Sequence, residues 1–190
     1  MKTVILLACL TLLNCTSNDN QILETPEAKV SYSDFENLVK EVKTHRAERL
    51  IDFNLFSEKS LEDNVIILDT RSKEMYDKKH IKGAIHLNFS DFTQDNLSEI
   101  IPDKTTTILI YCNNNFVGDP IHFATKSIIE LPSIEGTEKE EITLALNIPT
   151  YINLYGYGYK NVYELSELIS AFDTRIAYEG STVQQYTSNN

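Results

Sequence analysis

Thr106-Thr107-Ile108-Leu109-Ile110-Tyr111-Cys112 is followed at once by Asn113-Asn114-Asn115-Phe116-Val117-Gly118-Asp119. A short apolar, β-branched run that stops at a polar cluster reads as a buried strand running into a loop. That puts a thiol at the carboxyl end of a strand, facing a loop of backbone N–H groups. In open α/β sheets this edge is where sites form. Consecutive N–H groups make a nest that favours an anion, and a thiolate is an anion. A buried structural cysteine fits the same spacing, because free Cys is among the most buried residue types. The rest of the sequence tilts the balance towards chemistry.

Working outward, Val65-Ile66-Ile67-Leu68 is a second such run, ending at Asp69-Thr70-Arg71, with a short helix from Ser72 through Met75 and Tyr76. Ala84-Ile85-His86-Leu87, introduced by Gly83, is a third strand. Asn161-Val162-Tyr163-Glu164-Leu165 is a fourth, after a helical stretch near Ile148 to Tyr157 with Pro149 in its first turn and then Gly158. Nearer the N-terminus, Ser33 and Glu36 form a capping-box pair, and Phe35, Leu38, Val39 and Val42 mark one apolar helix face. A weaker helical stretch covers about Ala47 to Glu62. Strands alternating with helices predict an α/β fold with a parallel sheet covered on both faces.

The 190 residues suffice for one domain with a full core, and the 42% hydrophobic content is ordinary for a globular chain. Lys and Arg number 17 against 28 Asp and Glu, a net charge of −11. This argues against nucleic acid as a partner and against electrostatic docking on anionic lipid. It also gives an anionic substrate no long-range attraction, so a site for one must rely on local N–H groups or a local basic patch.

The N-terminus reads as a targeting segment. Lys2 precedes the apolar stretch Val4 to Leu13, which is too short to span a bilayer as a helix. Leu12-Leu13-Asn14-Cys15 resembles a bacterial lipobox, with Asn14 standing where a small residue is usual. The resemblance implies a signal peptide over 1–14 and a lipid on Cys15. Thr16 after that cysteine implies the periplasmic face of the outer membrane. Ordinary cleavage to a soluble periplasmic or secreted chain is the alternative. Residues 15–29, polar with Pro26, read as lipidated terminus and tether. Cys9 would leave with the signal peptide and Cys15 would carry lipid, so Cys112 alone would remain as a thiol. Exported cysteines tend to be paired. A lone one is reactive or deeply buried.

Four segments now stand in order: Leu68-Asp69-Thr70-Arg71, His80-Ile81-Lys82-Gly83-Ala84-Ile85, Ile110-Tyr111-Cys112, and Gly158-Tyr159-Lys160-Asn161-Val162-Tyr163. Their order and spacing resemble a rhodanese-like domain, over about Val65 to Leu165. The resemblance implies a three-layer α/β fold with a central parallel sheet of about five strands, within a domain over 30–178 and a tail over 179–190. It implies a sulfurtransferase in which Cys112 carries a sulfane sulfur as a persulfide. The N–H groups of Asn113, Asn114, Asn115, Phe116, Val117 and Gly118 would cradle the anionic sulfur. A nest and a nearby helix N-terminus can draw a thiol pKa from ~8.5 into the ~3.5–7.5 range. Asp69 and Arg71 would support the site as an ion pair. His80, Gly83 and Ala84 would serve packing and turn geometry. The partners implied are a small sulfane-sulfur donor and a thiol or cyanide-like acceptor, with no cofactor and no metal.

Three features depart from the family pattern. The loop after Cys112 holds no Arg, Lys or Ser before Asp119, which weakens thiosulfate as the donor. Gly118 stands where a Cys-x5-Arg phosphatase loop would place its arginine, so phosphoryl transfer is excluded. Residues 119–147 form an insertion before the next helix. Asp119-Pro120 reads as the start of an extra helix through Ile129, followed by an exposed acidic excursion around Glu138-Lys139-Glu140-Glu141. The insertion is a lid on the Cys112 pocket or a tolerated surface elaboration. His45, His80, His86 and His122 show no metal-ligand spacing with Cys112, and His86 and His122 are weaker candidates for a Cys–His dyad. Tyr151, Tyr155, Tyr157, Tyr159 and Tyr163 read as core and rim packing. The alternative function is a non-catalytic rhodanese-fold binding or regulatory module at the cell envelope.

Overall fold

The computed structural model describes residues 27–128 and 142–183. In chain order the elements are α1 (Tyr32–Ala47), β1 (Leu50–Ile51), α2 (Phe53–Lys59), β2 (Val65–Asp69), α3 (Lys73–Lys78), β3 (His80–Ile81), β4 (Ile85–His86) and α4 (Gln94–Ile100). Then follow β5 (Thr107–Tyr111), β6 (Phe116–Val117), β7 (Ser127–Ile128), β8 (Ile142–Thr143), α5 (Asn147–Gly156), β9 (Val162–Leu165), β10 (Ile169–Ser170) and β11 (Tyr178–Glu179).

β5 is the centre of a five-stranded parallel sheet in the order β1-β9-β5-β2-β4. Side chains alternate across a strand, and every residue from Ile108 to Tyr111 is buried. Ile108 and Ile110 join Val42 of α1, Leu97 of α4 and Leu154 of α5 in one core. Leu109 and Tyr111 join Phe53 and Phe56 of α2 in the other. A strand apolar on both sides needs helices on both faces, and this gives the three layers expected from the sequence.

Local chemistry sets the shorter elements. Ser72 caps α3, its Oγ accepting from the Met75 N–H at 3.4 Å. The helical stretch expected over Ala47 to Glu62 breaks in two. Leu50 and Ile51 extend to pair with Glu164 and Leu165, and Asp52 then caps α2 by accepting from the Leu55 N–H at 2.8 Å. Phe35, expected on the buried face of α1, is exposed, while Leu38 and Val39 pack partly into the core. The extra helix expected from Asp119 is a single turn, closed by Phe123 N–H to Asp119 C=O at 2.9 Å. The chain then runs into β7, which pairs antiparallel with β8 across the base of the insertion.

The domain does not stop at residue 178. β11 pairs antiparallel with β3, the Ser181 N–H donates to Asp77 C=O at 2.8 Å, and Thr182 Oγ1 donates to Lys78 C=O at 2.6 Å. The expected signal peptide, Cys15, most of the tether, the acidic excursion and the last residues of the tail lie outside the described residues. No described helix is long and apolar enough to cross a membrane.

Gly180 tests whether this terminal segment belongs to the folded unit. Its φ is +133°, and an added Cβ would sit 2.3 Å from the Lys78 carbonyl oxygen. Gly180→Ala is expected to lower the unfolding free energy by about 1–3 kcal/mol in urea denaturation. Unchanged stability would show that the segment contributes nothing to the fold.

Candidate active site

Asp69 ends β2 and sits in register with Tyr111 of β5. Neighbouring parallel strands therefore deliver a carboxylate and a phenol to the same edge. Tyr111 Oη donates to Asp69 Oδ2 at 2.5 Å. Arg71, two residues on, turns back to the same carboxylate, its Nε 3.0 Å from Oδ1 and its Nη2 2.6 Å from Oδ2. Its remaining bonds go to the carbonyls of Lys79, at 2.7 Å, and His122, at 3.0 Å. Both side chains of the ion pair are essentially excluded from solvent. Burial opposes the Arg71 cation, but hydrogen bonding and charge from Asp69 outweigh it and hold the guanidinium above its ordinary pKa. Removing one partner of such a pair costs about 3–5 kcal/mol because the other is left buried and charged.

Cys112 follows β5 directly and is 1% exposed. Its Sγ accepts the N–H of Leu146, the residue before α5, at 3.3 Å. The thiol lies in the wall of a cavity of about 210 Å³ that it shares with Arg71, Ser72, Met75, Asn113, His122, Ala124, Lys126 and Leu146. Despite the insertion, α5 thus returns to the thiol and presents its N-terminal, partly positive end.

The loop differs from the expected cradle. Asn113–Asn115 form one 3-10 turn, in which the Asn115 N–H bonds the Cys112 carbonyl and the Phe116 N–H bonds that of Asn113. Asn115 turns inward, its Oδ1 accepting from the Cys112 N–H at 2.8 Å and its Nδ2 donating to Leu165 C=O at 2.7 Å. Asn114 holds the backbone of Lys126. Phe116 is buried, and β6 pairs in parallel with β10. Gly118 lines a different cavity, of about 600 Å³. Of the six N–H groups expected around the sulfur, those of Asn113 and Asn115 meet it, joined by that of Leu146. The Phe116 N–H is committed to the turn, and Phe116 and Val117 pair with β10.

Burial pushes the Cys112 thiol above its ordinary pKa. The Leu146 and Asn113 N–H groups and the Arg71 charge oppose the shift without cancelling it, and the Asp69 charge adds to it. The strongly acidic thiol expected from a nest of N–H groups is therefore not formed.

The histidines are engaged elsewhere. His122 lines the cavity, but its Nδ1 lies 2.8 Å from Asp119 and its Nε2 3.2 Å from Thr182 Oγ1. His86 Nε2 bonds the Arg71 carbonyl at 2.9 Å. His80 stacks on Tyr76 with ring centroids 3.8 Å apart, in keeping with a packing role. Tyr151 and Tyr159 are fully buried and donate to the carbonyls of Val162 and Ile101. Among the described residues no group of three or more His, Cys, Asp or Glu is arranged to hold a metal ion. The sequence reading missed Lys126 and Leu146. Both lie beyond the loop after Cys112, and no local pattern marks them.

The raised thiol makes a direct prediction. Thiolate is the reactive form, so alkylation of Cys112 by iodoacetamide is expected to rise through an ionisation above the ordinary thiol value of about 8.5. Full reactivity below pH 7 would contradict the burial argument.

The sequence profile of the rhodanese-like domain matches residues 54–174, more than half of the chain, taking in Asp69, Arg71 and Cys112. Thiosulfate sulfurtransferase PspE of Escherichia coli (strain K12) is 33% identical over 46 residues, covering 24% of this chain and 43% of that protein. The chain thus spans less than half the length of this curated relative. The solution structure of the rhodanese-like domain of Alr3790 from Anabaena sp. shares 21% identity at a TM-score of 0.47, over 72% of this chain and 83% of that one. A rhodanese from E. coli solved with anions shares 18% identity at a TM-score of 0.36, over 62% and 99%. The profile match settles the family: the chain belongs to the rhodanese-like domain family.

Proposed function

We propose that the protein is a sulfurtransferase that carries a sulfane sulfur as a persulfide on Cys112. The observation that supports this most is the position of Sγ, in a small cavity at the carboxyl end of β5, with the Leu146 N–H on the sulfur at 3.3 Å. The Cys112 thiolate attacks the outer sulfur of a small donor and forms an S–S bond. The donor's own bond to that sulfur breaks, and its remainder leaves with the electron pair (sulfite, when the donor is thiosulfate). A thiolate or cyanide then attacks the terminal sulfur, takes it, and returns the Cys112 thiolate. Negative charge stays near one place throughout, where fixed N–H groups stabilise it without reorganisation. The cycle calls on no cofactor. Arg71, held by Asp69, shapes the wall of the cavity.

The lipobox-like Cys15 extends the proposal to location, with the mature chain tethered by lipid to the periplasmic face of the outer membrane. A second reading, a rhodanese-fold module that binds a partner or ligand without turnover, is favoured by one observation: Cys112 is almost wholly enclosed, and its pKa is raised.

Steady-state assay separates the two. With thiosulfate or mercaptopyruvate as donor and cyanide as acceptor, thiocyanate formation is expected, increasing with pH as the thiol ionises. Cys112→Ser is expected to fall to background while keeping the wild-type unfolding transition. Undiminished turnover in Cys112→Ser would refute the assignment, and no turnover with either donor would favour the binding module.

A further inference from the structure

We propose that the cavity of about 600 Å³ beside the C-terminal segment is a second ligand site, for a small neutral molecule with an apolar ring and one acceptor oxygen. The site stands apart from sulfur transfer. It shares His122 with the Cys112 cavity and no other described residue.

Two loop segments line it. One is the single turn that opens the insertion, Asp119 to His122. The other joins β10 to β11 and is held by the Ile176 N–H donating to Asp173 C=O at 3.1 Å. Lys79, which precedes β3, and Tyr178 of β11 complete the wall with Thr182 and Val183. The volume falls within the range of about 300–1,000 Å³ usual for small-molecule sites. Pro120, Ile121, Ala171, Phe172, Ile176 and Val183 make the lining largely apolar. Ala171 and Ile176 are buried, whereas Ile121 is 73% and Phe172 71% exposed. Two large apolar side chains at one concavity are surface that a bound ring removes from water.

The charges of the wall are already matched. Lys79 Nζ lies 2.9 Å from Asp119 Oδ2, and Arg175 Nη2 lies 2.8 Å from Asp173 Oδ2. His122 spends both ring nitrogens, on Asp119 and on Thr182 Oγ1. An ionised ligand would lose its hydration here without gaining an unpaired counter-charge. Tyr178 differs from these groups, because its hydroxyl is buried with no hydrogen-bond partner. Such a hydroxyl carries a desolvation cost that nothing recovers. Burial raises its pKa, so it stays a neutral donor. Its ring is fixed against the ion pair, with Lys79 Nζ 4.3 Å from the centroid. A carbonyl or ether oxygen on the ligand supplies the acceptor that the hydroxyl lacks.

The test uses prodan, a neutral naphthalene ketone whose emission shifts to the blue on leaving water. Titrated into the full mature chain, it is expected to bind saturably at one site. 2-Acetylnaphthalene is expected to displace it. 2-Naphthoate, of similar shape but carrying a carboxylate, is expected to need at least about tenfold more. Tyr178→Phe is expected to raise the prodan Kd about three- to tenfold with no loss of unfolding free energy. Ile121→Ala, at an exposed position, is expected to raise it by a similar factor. Cys112→Ser is expected to leave it unchanged, since Cys112 borders the other cavity. Absence of saturable binding, displacement by naphthoate as readily as by the ketone, or a Kd unmoved by Tyr178→Phe or Ile121→Ala overturns the proposal. Loss of binding in Cys112→Ser places the probe at the thiol and overturns it too. So does a dimer by light scattering that excludes prodan, which assigns the face around Ile121 and Phe172 to a second copy of the chain.

Discussion

The buried Asp69–Arg71 ion pair is the constraint on which the site depends. It gathers the end of β2, the phenol of Tyr111 on β5, and the carbonyls of Lys79 and His122 into one network. Those carbonyls belong to the residue between α3 and β3 and to the first turn of the insertion. One guanidinium therefore fixes three chain segments around the carboxyl edge of the sheet, directly beside the residue that follows Tyr111. Two enclosed charges are tolerable here because each is satisfied by several hydrogen bonds, not by the partner alone. Arg71 also stacks against Phe123, 4.6 Å from its ring centroid, and so buries apolar surface as well as charge.

That arrangement has a chemical consequence. A cation consumed by its own carboxylate does little to acidify a neighbouring thiol, and enclosure pushes the thiol the other way. What remains for the thiolate are the dipoles of the Asn113, Asn115 and Leu146 N–H groups. An enclosed, weakly acidic thiol is shielded from bulk oxidants and larger electrophiles. It stays reachable by a donor small enough for a cavity of about 210 Å³. Selectivity by size then substitutes for high intrinsic reactivity.

Much of this was legible from local patterns. The strands β2, β4, β5 and β9 of the central sheet, the short helix after Ser72, and the placing of Asp69, Arg71 and Cys112 at one sheet edge all follow from short stretches read one at a time. Features that depend on distant pairing were not. Leu50-Ile51 reads as helix by itself and becomes a strand because β9 offers it a ladder. The N–H groups after Cys112 read as a nest, but Phe116 and Val117 are claimed by β10, more than fifty residues away. Leu146 reaches the thiol from the far side of an insertion whose base is closed by β7 and β8, and no spacing in the sequence announces that contact. The domain's end was misplaced for the same reason, since the partner of Tyr178 and Glu179 is β3.

The most direct test of Cys112 as a sulfur carrier is the intermediate itself. The mature domain would be incubated with thiosulfate or mercaptopyruvate and weighed intact under non-reducing conditions. The account predicts a gain of one sulfur atom, lost on adding cyanide and absent from Cys112→Ser. A folded chain that gains no sulfur from either donor, or gains it equally well without the Cys112 thiol, would contradict it.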